Sequence, residues 1–138
     1  MKLIDGKETA NEIKKELAAQ VAEMIDTDDR RPHLAAILVG EDAASQTYVN
    51  AKEKACKEVG FMSSIYKLPS NASEKEVLDL VDFLNNDPEV DGFIVQLPLP
   101  GQIDENKVIQ RIKPDKDVDG FHPVNFGRMA LNLPAYIS

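Results

Sequence analysis

The sequence predicts an α/β fold, a mostly parallel sheet flanked by helices. Three observations carry this expectation. Short apolar runs closed by Gly or Pro read as strands buried on both faces. The longer segments between them place apolar residues at helical spacing. The two signals alternate along one chain of 138 residues, which implies right-handed crossovers and parallel pairing.

The elements follow in order. Ala10, Ile13, Leu17, Val21, Met24 and Ile25 recur on one face, so residues 7–26 read as an amphipathic helix. Asp26 to Pro32 is a polar, charged loop. Leu34 to Val39 is a continuous apolar run ended by Gly40, the first strand. Residues 43–59 return to helical spacing, and Gly60 suits a left-handed helix stop. Phe61 to Leu68 is the second strand, ended by Pro69. Ser73 followed by Glu76 fits a capping box, ahead of Val77, Leu80, Val81 and Leu84 on one helical face. Gly92 to Leu97 is the third strand, closed by Pro98 and Pro100. A short helix at 104–112, a charged loop from Lys113 to Pro123 and a last helix at 124–131 complete the chain.

Composition narrows the function. A hydrophobic fraction of 43% and a charged fraction of 29% suit one globular domain with a real core. Asp and Glu number 24 against 16 Lys and Arg, a net charge of −8. A nucleic-acid binder or a polybasic membrane anchor needs the opposite sign. Cys56 is the single cysteine, which excludes an internal disulfide framework and points to a reducing compartment. Met1 to Lys7 lacks a signal-peptide core, and no run approaches the ~18 apolar residues of a membrane span. The expectation is one cytoplasmic domain over residues 1–138, with neither nucleic acid nor membrane as partner.

In open parallel sheets, ligands bind beyond the carboxyl ends of the strands. Those ends are Gly40 to Ala44, Leu68 to Pro69, and Gln96 to Gly101. Three features near them carry chemistry. Lys54 and Lys57 have glutamates at helical spacing and read as solvated surface lysines. Lys52 has Tyr48, Val49, Ala55 and Cys56 instead. It is either a snorkelling lysine with a wet head or a partly desolvated amine whose lowered pKa suits a base. Gln96 interrupts an apolar strand, so its amide is either satisfied by loop backbone or faces a ligand. The loop Lys113–Pro123 is either a solvated turn or one folded inward at Asp119-Gly120 by Val118 and Phe121. An inward carboxylate at Asp119 suits an amino-pyrimidine ring or an amine.

Other chemistries are excluded. Asp115, Asp117 and Asp119 begin like a calcium loop, but the twelfth position is Phe126, not Glu. His33, His122 and Cys56 form no familiar metal spacing, so no metal is expected. There is no nucleophile elbow, P-loop or G-x-G turn, so no cofactor-binding residues are expected in this chain.

Three segments together resemble a known family. Tyr48-Val49-Asn50-Ala51-Lys52, Gly92-Phe93-Ile94-Val95-Gln96-Leu97-Pro98-Leu99-Pro100 and Pro114-Asp115-Lys116-Asp117-Val118-Asp119-Gly120-Phe121 resemble motifs of the bifunctional methylenetetrahydrofolate dehydrogenase/methenyltetrahydrofolate cyclohydrolase family. Ile4-Asp5-Gly6-Lys7, Leu38-Val39-Gly40 and Ala44-Ser45-Gln46-Thr47-Tyr48 are similar to it as well, so the likeness runs through essentially the whole chain. The resemblance implies that Lys52 is the base of the cyclohydrolase step. It implies that Tyr48 stacks on the pterin and that Gln96 hydrogen-bonds the lysine. It implies that Asp119 grips the amino-pyrimidine edge, with Ser45, Val95 and Leu97 lining the cleft. It further implies oxidation of 5,10-methylenetetrahydrofolate with NADP and hydrolysis of the product to 10-formyltetrahydrofolate, one-carbon chemistry serving purine, methionine and histidine biosynthesis. In the family this region is the amino-terminal half. A Rossmann-type domain binds NADP, completes the folate site and forms most of the homodimer contact. The chain is therefore expected to be a fragment that lacks dehydrogenase activity alone. A stand-alone folate-binding or regulatory module without turnover is the alternative.

Overall fold

The computed structural model describes residues 5–27 and 29–137. Ile4, part of the opening motif, lies outside them. The order is α1 (Gly6–Asp26), β1 (His33–Val39), α2 (Ala43–Val59), β2 (Met62–Leu68), α3 (Glu74–Asn86), β3 (Gly92–Val95), α4 (Glu105–Arg111) and α5 (Pro123–Ala130). The three strands are parallel in the order β2-β1-β3, with β1 central. The expected α/β class is present, with helices on both faces of the sheet.

Strand alternation divides the core in two. Ala35, Ile37 and Val39 of β1 join Phe93 and Val95 of β3 against Val77, Val81 and Leu84 of α3 and Val108 of α4. Ala36 and Leu38 face the other way and pack with Val49 of α2. A strand feeding two cores must be apolar at successive positions, which is why β1 reads as an unbroken run.

The helix signals are physical caps. Asp5 accepts from the N–H groups of Lys7 and Glu8 at the start of α1. The Ser73 hydroxyl accepts from Glu76 N–H, while the Glu76 carboxylate accepts from Ser73 N–H at 2.7 Å, a complete capping box. Gly60 ends α2 at φ 86°, and an added Cβ there would lie 3.1 Å from Val21 Cγ1.

Some expectations need correction. The apolar stripe of α1 is not a buried face: Val21 is its buried residue, while Ile13 is 52% exposed. The helix packs on α2, outside the sheet layers. The second strand starts at Met62, because Phe61 N–H bonds Cys56 O at the end of α2. The third strand stops at Val95, not Leu97. Gln96 N–H still reaches Ile37 O at 2.9 Å. Pro98 follows, and proline has no N–H for the ladder. Glu58 pairs with Lys14 of α1 at 2.6 Å, not with Lys54, whereas Lys57 pairs with Glu53 as expected. Among the described residues no helix is long and apolar enough to cross a membrane.

Candidate functional site

The site lies where the chain changes sides. From central β1 the path runs through α2 to β2, then across through α3 to β3. The carboxyl ends of β1 and β3 therefore border the switch point of an open parallel sheet, the usual place for a ligand.

Helix α2 supplies one wall. Ser45, Tyr48 and Lys52 are three and four residues apart and share a face. Ser45 is buried, and its N–H donates to the Asp42 cap at 2.7 Å. Tyr48 is 61% exposed, an aromatic surface open to solvent. Lys52 is half-buried. Its Nζ donates to Gln96 Oε1 at 3.4 Å across 44 residues of sequence.

The exit of β3 supplies the second wall. Phe93 and Val95 point into the α3-side core, so alternation turns Gln96 toward α2. Gln96 Nε2 donates to Leu97 O at 2.9 Å, which leaves its oxygen for the lysine. Val95 and Leu97, expected to line the cleft, send their side chains into the α3-side core. What they present toward α2 is main chain.

The loop after α4 supplies the third wall. Burial pushes the Asp119 carboxyl above its ordinary range. The positive charge of Lys52 pulls it back, and the neighbouring Asp117 carboxylate adds to the rise. Lys52 thus links three distant segments, by a hydrogen bond to Gln96 and by its charge to Asp119, and Ser45 and Tyr48 share its helix face.

The sequence reading missed the residues that build this loop. Asp117, not Asp119, is the deeply buried carboxylate, at 2% exposure. It accepts from Phe121 N–H at 3.3 Å, His122 N–H at 2.9 Å and Asn125 Nδ2 at 2.9 Å. Phe121, expected to fold the loop inward, is 48% exposed, because hydrogen bonds to Asp117 rather than apolar burial close the turn. Pro123 marked the start of a helix near an acidic loop, but that signal favours Asp119 and Asp117 alike. Gly92 is the second missed residue. A Cβ there would meet Val118 Cγ1 at 2.3 Å and Lys116 O at 3.3 Å, so its bare backbone admits the loop. Phe93 N–H then bonds Lys116 O at 3.0 Å.

Comparison with known proteins bears on the family and the fold. The profile of the family described as tetrahydrofolate dehydrogenase/cyclohydrolase, catalytic domain, matches residues 4–119. A protein of Porphyromonas gingivalis named bifunctional protein FolD is 55% identical over 137 residues, 99% of this chain and 46% of the relative. One of the same name from Bacteroides thetaiotaomicron is 57% identical over 138 residues, 100% of this chain and 47% of the relative. The chain thus spans about half the length of the curated relatives it matches. The Campylobacter jejuni FolD methylenetetrahydrofolate dehydrogenase/cyclohydrolase superposes with a TM-score of 0.94 at 43% identity, covering 99% of this chain and 48% of that one. The Trypanosoma brucei dehydrogenase-cyclohydrolase, solved with NADP cofactor and inhibitor, gives 0.91 at 37% identity, covering 99% and 46%.

Proposed function

The chain belongs to the tetrahydrofolate dehydrogenase/cyclohydrolase family, and on that premise we propose that residues 1–138 form the folate-site half of a bifunctional enzyme. That enzyme oxidises 5,10-methylenetetrahydrofolate to 5,10-methenyltetrahydrofolate with NADP and hydrolyses the product to 10-formyltetrahydrofolate. It works in the cytoplasm, where the product feeds purine, methionine and histidine biosynthesis. The observation that carries this reading is the meeting of Lys52, Gln96 and Asp119 at the switch point.

Each side chain has a task. The Asp119 carboxylate accepts from the ring N–H and amino group of the pterin. Tyr48 offers an exposed aromatic face for the ring to stack on. Lys52, as a free amine, takes a proton from water as the water oxygen bonds to the methenyl carbon. The bond from that carbon to N5 then breaks as the new hydroxyl gives up its proton and becomes the formyl C=O, N5 takes up a proton, and the formyl group stays on N10. Gln96 accepts from the amine through Oε1 and orients it.

The residues present do not fit a nicotinamide dinucleotide. In a dinucleotide fold the first strand-to-helix turn gives its N–H groups to the pyrophosphate. Here the Asp42 carboxylate holds the start of α2 and accepts from Ser45 N–H. Asp42 lies below its ordinary range because the Ser45 backbone and side chain hydrogen-bond it, so the seat carries negative charge. We therefore assign NADP, and most of the homodimer contact, to the other half of the longer protein. No step of hydride transfer is placed on this chain.

The test is hydrolysis of 5,10-methenyltetrahydrofolate by the complete gene product. Lys52→Met keeps the stem's packing and removes the amine, and the rate should fall by about 10²-fold or more, the usual worth of a positioned base. Lys54→Met, on the solvated face of α2, should leave the rate unchanged. Equal rates in the two variants would reduce Lys52 to a snorkelling surface residue.

A further inference from the structure

We infer that the buried Asp117–Asn125 pair is the positioning device for Asp119, so that the seat of α5 sets how tightly the folate ring is held; this rests on the folate role proposed above for Asp119. Among the described residues no hydrogen bond holds the Asp119 carboxylate itself. Its place comes from the backbone that carries it.

That backbone has two anchors. One is β3, through Phe93 N–H to Lys116 O at 3.0 Å and the contact of Val118 with Gly92. The other is Asp117. Its two oxygens take three donors from residues 121, 122 and 125, and its carbonyl accepts Gly120 N–H at 3.1 Å. This closes residues 117–122 into a ring with Asp119 and Gly120 at its apex. Gly120 sits at φ 68°, the left-handed turn that glycine adopts without strain.

Asn125 carries the position of α5 into that ring. Its Nδ2 donates to Asp117 Oδ2 at 2.9 Å and to Pro114 O at 2.7 Å, so it ties both ends of the loop to the helix. Asn125 is the buried residue of α5, while the flanking Val124 and Phe126 are exposed. The helix is thus seated through this amide rather than through an apolar face. Asn125 and Asp117 spend their hydrogen bonds on the loop itself, so they act on a ligand through Asp119.

The experiment measures KM and kcat for 5,10-methenyltetrahydrofolate hydrolysis by the complete gene product. Asn125→Ala should raise KM about tenfold, the worth of one hydrogen bond to a charged group, and change kcat much less. Asp117→Asn, which puts an amide donor where three donors converge, should do the same and serves if Asn125→Ala folds poorly. The deciding arm is the Asp119→Ala background, where adding Asn125→Ala should raise KM no further. A merely structural role would lower the folded fraction, and with it kcat, leaving KM unchanged. That pattern, or an Asn125→Ala effect that persists without Asp119, overturns the inference alone. An Asp119→Ala protein with wild-type KM, or an unaltered protein without hydrolysis, overturns the folate role and the inference together.

Discussion

Gly92→Ala tests the link from sheet packing to ligand binding. Gly92 opens β3, and a Cβ there would lie 2.3 Å from Val118 Cγ1 and 3.3 Å from Lys116 O. Carbon atoms rest about 3.5–4.0 Å apart, so the valine must retreat by roughly 1.2 Å or more. Rotating Val118 does not suffice, because the carbonyl of Lys116 is backbone and accepts Phe93 N–H at 3.0 Å. Segment 116–118 moves as a unit and takes Asp119 with it. Overpacking costs about 1–3 kcal/mol. Restricting the unfolded chain returns about 0.4–1 kcal/mol, so the clash wins. Thermal unfolding should shift down by roughly 3–5 °C for each kcal/mol lost. Calorimetric titration with tetrahydrofolate should show an affinity about tenfold lower or worse, as for a displaced charged hydrogen bond. Gly101→Ala is the control, since nothing lies within 4 Å of its added Cβ. Wild-type melting and wild-type affinity in Gly92→Ala would refute the packing argument. Lower melting with unchanged affinity would refute the connection between loop position and binding.

The other expectations concern pH and stability. Asp119 is raised by burial, so folate affinity should fall on acidification from a higher pH than for an ordinary aspartate, and the Asp119→Asn profile should be flatter. The stability sign is opposite: the neutral carboxyl stabilises below its ordinary range and that contribution is lost as pH rises through the raised value, so Asp119→Asn should melt higher at neutral pH. Asn85 is buried and serves two backbone groups, donating to Arg111 O and accepting from Lys113 N–H, both at 2.8 Å. Asn85→Leu should cost about 2–6 kcal/mol in denaturant unfolding, roughly 1–3 for each stranded group. Exposed Asn86→Leu should cost under about 0.5 kcal/mol, and equal losses would show that Asn85 is not a backbone bracket.

Local rules made most of the fold legible. Central β1 must be apolar on both faces, so it was visible as Leu34–Val39. The capping box at Ser73 and the left-handed stop at Gly60 depend on a few neighbouring residues and could be read from them. Lys52, Gln96 and Asp119 stood out because each breaks the pattern of its own element, an amine without local carboxylates, an amide in a strand and an acid beside glycine. Their proximity was not legible, since Lys52 and Gln96 meet only after the crossover through α3 brings β3 beside β1. The sequence could not tell that Val95 and Leu97 face the α3-side core, because a run buried on both sides hides which face is which. Nor could it separate Asp117 from Asp119. Two residues apart in a charged loop, they differ in that three donors hold the Asp117 carboxylate and, among the described residues, none holds that of Asp119, and that difference exists only after α5 docks through Asn125.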